Sequence, residues 1–196
     1  MKKYKEYHVS RNSNPAFLLN HIGRNALELA KEGEGYLIYN LITAQVMCSF
    51  TLEAAVNYLG QKLIENWQII ERGLSVKQKI ILIAEFSGFD VDFGSEPFQY
   101  LTEMVRFRND IVHARPSSTF SNDIQDHQID SDGFPKVSTI PALQTKWEQY
   151  CNIGIAEKWL KAVKDICSYL SENTECLNPI VFGDMIDTWA CLDTKQ

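Results

Sequence analysis

Apolar positions recur every three to four residues through most of the chain, the spacing of helices that bury one side. Ser13-Asn14-Pro15 reads as a cap and first turn, followed by an amphipathic run to about Lys31, and Gly33 and Gly35 interrupt it. The next predicted helix is long, from about Tyr36 to Trp67. Ser75 with Gln78 three residues later forms a capping-box pattern that opens a shorter helix to about Phe86. Gly88 to Gly94 is a turn-rich link, and Glu96-Pro97 opens a helix that Pro116 must end near Ala114 or Arg115. A last long helix is expected over roughly Leu143 to Glu172, and Pro179 to Trp189 is read as a short terminal one.

Between Pro116 and Pro141 the pattern gives way to Ser, Asp, Asn and Pro. Asp132-Gly133 suits the turn of a small hairpin there, and a connection of this length marks a functional segment in many domains. Asp130-Ser131-Asp132-Gly133 lacks the earlier carboxylate and terminal Glu that a calcium loop requires. No internal repeat or strand-rich region stands out. The expected fold class is therefore all-α: a bundle of about five to six helices in one domain over 1–196, with a loop or small hairpin insertion near 116–141.

A length of 196 residues, 45% of them hydrophobic, is enough to bury a core and excludes a wholly disordered chain. Nineteen basic against 25 acidic residues leave a net charge of -6, which argues against non-specific coating of nucleic acid but leaves room for a small basic site. The most membrane-like stretch, Tyr36 to Phe50, carries Asn40, Thr43 and Gln45 and is followed by Glu53, so no membrane span is expected. The lysine-rich start is not followed by the apolar run of a secretory signal. The five cysteines form no C-x-x-C pair and are expected as reduced thiols in a cytoplasmic protein. The histidines show no zinc-ligand spacing, and no phosphate loop or nucleophile elbow is present, so no metal or cofactor is expected.

Winding the helices at about 100° per residue exposes two charges among apolar neighbours. On the 96–114 helix, Arg108 falls within the face made by Phe98, Leu101, Met104, Val105, Ile111 and Val112. On the 36–67 helix, Glu53 falls amid Ile42, Val46, Phe50, Val56, Ile64 and Trp67, with Asn57 one turn on. Unpaired charges at such positions cost several kcal/mol, so Glu53 and Arg108 are expected to meet. Three readings stay open: a structural salt bridge, an oligomer interface that both charges face, or a carboxylate holding Arg108 toward a phosphate. His113 lies roughly 140° from Arg108 on an ideal helix.

Arg108-Asn109-Asp110-Ile111-Val112-His113 resembles the R-x(4–6)-H motif of the HEPN superfamily, all-α domains of prokaryotic defence and toxin systems. The four-residue spacer, the Asn after the Arg and the place near the end of a late helix all fit, and Glu53 and Asn57 resemble the family's supporting polar positions. The resemblance implies a metal-independent endoribonuclease acting as a homodimer on RNA, accompanied in the toxin forms by an antitoxin or nucleotidyltransferase partner. Carried over to this chain, His113 is the general base or acid, and Arg108 stabilises charge at phosphorus. Asn109 holds the scissile phosphate or orients the ring, and Glu53 orients Arg108. Arg106 and Arg115 beside the motif are candidate RNA contacts. Other HEPN-like domains are non-catalytic dimerisation or partner-binding modules, and that alternative is carried forward.

Overall fold

The computed structural model describes residues 7–11, 14–113, 147–181 and 187–191. They form an all-α bundle of six α-helices with a two-stranded ribbon joining the ends of the chain. The helices are α1 (Pro15–Glu32), α2 (Leu37–Leu63), α3 (Trp67–Ile70), α4 (Val76–Ser87), α5 (Leu101–Val112) and α6 (Ile153–Thr174). Three of the starts are capped by side chains, and the sequence pattern predicts those at Asn14 and Ser75. Asn14 Oδ1 accepts from the Ala16 N–H, and Asn152 does the same for Ile155. Ser75 and Gln78 close the reciprocal capping box at α4. Gly33, at φ 72°, ends α1 in the left-handed conformation that a residue without Cβ adopts at no cost.

The central element is α2, which packs against α1, α4, α5 and α6. A helix with neighbours on most sides cannot be amphipathic. Thr51, Ala55, Leu59, Val56, Ser49, Gly60 and Val46 are all buried, and on a helix of 100° per residue they cover an arc of about 220°. The predicted Tyr36–Trp67 helix is shorter than expected and stops at Leu63. Asn66 adopts a left-handed φ of 59°, which Asn tolerates better than most residues, and the chain reverses there. Trp67 is thereby laid onto Gly60, where any Cβ would overlap the indole ring, and it is buried in the core rather than extending the α2 face.

On α5 the buried centre is Leu101, Met104 and Phe107, whereas Val112, assigned to the core side, is 55% exposed. Phe107 meets Trp159 and Tyr150 edge-on, with ring centroids 5.5 and 6.1 Å away. This anchors α5 against α6 and the turn before it. The turn is held in place by the Gln45 carboxamide, whose N–H donates to the Tyr150 carbonyl at 2.6 Å.

At the chain ends, β1 (Tyr7–Arg11) pairs antiparallel with β2 (Asp187–Cys191), Val9 opposite Trp189. The expected helix over Pro179–Trp189 is thus not formed at 187–191, where Thr, Trp and Cys favour an extended pairing over a helix. Asn14 Nδ2 also donates to the Pro179 carbonyl at 2.7 Å, tying the tail to the start of α1. The last helix begins at Ile153 rather than near Leu143. The expected hairpin near 132–133, the 116–141 insertion and Arg115 lie outside the described residues. Among the described residues no helix is long and apolar enough to cross a membrane.

Candidate functional site

Burying Phe107 against α6 turns the next residue, Arg108, toward α2. There Arg108 Nη1 donates to Glu53 Oε2 at 3.2 Å, with 20% of the arginine side chain and 32% of the glutamate exposed. Glu53 is therefore half-buried rather than centred in the core, and the deepest part of α2 is the Leu52–Ala55–Leu59 stripe beside it. The guanidinium also lies 5.7 Å from the Phe50 ring centroid, a cation–π distance.

A third charge completes the cluster. Lys79 on α4 is only 5% exposed, and its ammonium lies 3.6 Å from Glu53 Oε1. It also donates to Asn57 Oδ1 at 2.8 Å. Asn57 therefore supports the lysine rather than the arginine. Sequence reasoning passed over Lys79, although the signal that revealed Arg108 was present. Val76, Lys79, Ile80 and Ile83 form the buried stripe of α4, with a lysine in an apolar row. One carboxylate now faces two cations, so the cluster keeps one positive charge in surplus. Arg108 Nε is shielded from solvent and has no hydrogen-bond partner among the described residues. The guanidinium is thus held through Nη1, and its buried Nε is left unsatisfied at a cost.

His113 occupies the C-cap of α5. Its backbone N–H still reaches the Asn109 carbonyl at 2.9 Å, so it keeps the helical register, and its side chain is exposed. Thr102, Arg106, Asn109, Asp110 and His113 follow one another along a single outer face, since residues three and four apart are neighbours on a helix. Arg108 points the other way. Within one chain, then, Glu53, Asn57, Lys79 and Arg108 come together, while His113 keeps company with Arg106 and Asn109.

A cleft of about 570 Å³ opens on the Glu53 and Asn57 side, walled by Tyr58, Trp67 and Glu71. Neither Arg108 nor His113 lines it, and its charged groups are two carboxylates, so phosphate chemistry does not belong inside it. Three of the thiols are poor nucleophiles: burial pushes Cys167 up to about 12 and Cys48 further. Burial and then the charge of Glu148 raise Cys151 to about 11. Cys48, Cys151, Cys167 and Cys176 are all free. Among the described residues no three His, Cys, Asp or Glu side chains gather as a metal site. No protein-family model, curated protein or solved structure matches this chain.

Proposed function

We propose that the chain is a HEPN-like, metal-independent endoribonuclease that works as a homodimer in the cytoplasm. The observation that supports it best is the shared carboxylate. Glu53 fixes the direction of Arg108 while Lys79 takes part of the carboxylate's charge, leaving a guanidinium that is both oriented and electropositive.

The chemistry follows from the two side chains of the motif. An imidazole removes the proton from a ribose 2′-hydroxyl, since its ordinary pKa lies near working pH. The 2′-oxygen bonds to phosphorus, the bond from phosphorus to the 5′-oxygen breaks, and the leaving oxygen takes a proton from a second imidazole. The products are a 2′,3′-cyclic phosphate and a 5′-hydroxyl. Arg108 neutralises the charge that builds on the phosphoryl oxygens. Because Arg108 and His113 diverge around α5, one chain does not surround a phosphate by itself, and a second copy facing the first supplies the complementary pair. This is the reason for placing the site at a dimer cleft. A role in a defence or toxin–antitoxin system, with an antitoxin or nucleotidyltransferase partner, belongs to the same reading.

The second reading, a non-catalytic HEPN-like module for dimerisation or partner binding, draws on a different observation. Tyr36, Leu37 and Tyr39 at the start of α2 are 74, 51 and 63% exposed, a cluster of apolar surface suited to another protein.

Cleavage of single-stranded RNA in EDTA by the wild type, Arg108→Ala and His113→Ala separates the two. The nuclease reading expects cyclic-phosphate ends from the wild type and a loss of about 100-fold or more in each variant. Equal rates in all three folded proteins exclude it, and a stable dimer without motif-dependent cleavage favours the module.

A further inference from the structure

On the side of α5 opposite the Glu53 cluster lies a groove of about 400 Å³ between α5 and the beginning of α4. Its floor is apolar, formed by Val76, Leu101 and Val105, the first two buried. Its rim carries Lys77 and Arg106 as cations, Ser75, Thr102 and Asn109 as neutral hydrogen-bonding groups, and Asp110 as the one carboxylate. The chain as a whole carries a charge of -6, yet this groove has two positive groups to one negative. The Lys77 ammonium rests 4.6 Å from the Phe93 ring centroid. The first turn of α4 adds the positive end of a helix dipole. The α5 wall, Thr102 to Arg106 to Asn109, continues in register to His113.

We propose that this groove binds single-stranded RNA, with phosphates on Lys77 and Arg106 and a base face on the apolar floor, and delivers the strand to His113. The inference rests on the nuclease reading for what happens at His113 and goes beyond it in giving the substrate a path. An acidic polypeptide without aromatic side chains would match the cations but has no flat face for the floor, and a duplex is too broad to enter between two helices. A single strand with splayed bases meets both requirements.

The test uses the full chain carrying His113→Ala, so that the RNA stays intact, and a fluorescein-labelled oligouridylate followed by anisotropy at several salt concentrations. Lys77→Ala with Arg106→Ala is expected to weaken binding about tenfold, at about half a decade per phosphate contact, and to flatten the salt slope by about 0.7 per cation. Arg72→Ala, an exposed cation outside the groove, is expected to leave both unchanged. No binding by the parent chain overturns the proposal. So does an equal effect of Arg72→Ala, or displacement of the oligouridylate by polyglutamate at matched charge. Groove-dependent binding without cleavage by the wild type leaves this inference standing and removes the nuclease reading. Undiminished cleavage in the wild-type background carrying Lys77→Ala and Arg106→Ala does the reverse.

Discussion

The two sides of α5 carry the same kinds of residue under opposite conditions. On the inner side Arg108 is gripped by Glu53, flanked by buried Lys79 and set beside Phe107, whose side chain is fully covered. On the outer side Arg106, Asn109, Asp110 and His113 are exposed. The inner side fixes one charge in one direction before any ligand arrives, which is what electrostatic stabilisation of a transition state requires. The outer side leaves its groups free to follow a polymer that arrives in many conformations, at the cost of ordering them on binding. A helix one turn from its end can serve both needs because its faces do not share neighbours.

The sharpest way to break this contrast is to loosen the inner side. Phe107→Ala removes a ring that packs on Trp159 and Tyr150, and should lower stability by about 3–5 kcal/mol in denaturant unfolding. A loss below about 1 kcal/mol would mean that α5 is not anchored there. Glu53→Gln should cost about 1–3 kcal/mol, because two cations lose their shared partner, and partial exposure of the carboxylate keeps the figure from rising higher. Lys79→Met in the same chain should recover part of that loss. A double-mutant cycle with no coupling between the two positions would show that the lysine and glutamate act independently.

The core behind the inner side also sets an alkaline limit. In the unfolded chain Cys48 and Cys167 lose their protons near the ordinary 9.0, whereas in the native protein burial delays this to about 12 for Cys167 and beyond for Cys48. The unfolded state therefore binds fewer protons above pH 9. Their stabilisation is complete below pH 9 and is lost as pH rises toward 12, by on the order of 1 kcal/mol per thiol for the first unit. Urea midpoints measured across that range check it, and Cys167→Ala should remove that thiol's share of the slope. Smallest of all, Arg106→Ala or Asn109→Ala should change stability by less than about 0.5 kcal/mol, since neither supports the core. A larger loss from either would erase the distinction between the faces.

The same contrast explains what could be read in advance. Glu53 and Arg108 were legible because a charge in an apolar row at helical spacing is an anomaly that demands a partner, and the two are indeed paired. Lys79 carried the same signature in a shorter row. The outer groove left no such trace, since polar residues on a solvated face obey the pattern and its other wall comes from α4, more than twenty residues earlier. The helical class and the capped starts followed from periodicity and from Asn14, Ser75 and Gln78. The return of Trp67 onto Gly60 did not, because the reversal is made at Asn66 with no proline or glycine beside it. The ribbon at the chain ends was equally hidden, because five-residue strands pair across nearly the whole sequence and only three dimensions bring them together.

That ribbon has a consequence during synthesis. Strand β1 emerges from the ribosome before the helices described above, and its mate β2 emerges after them. At about 5–20 residues per second, the early strand waits roughly ten to forty seconds with its edge unmatched. Throughout that interval the nascent chain presents a template to any other extended segment, and on crowded polysomes a neighbouring nascent copy is the nearest one able to fill it.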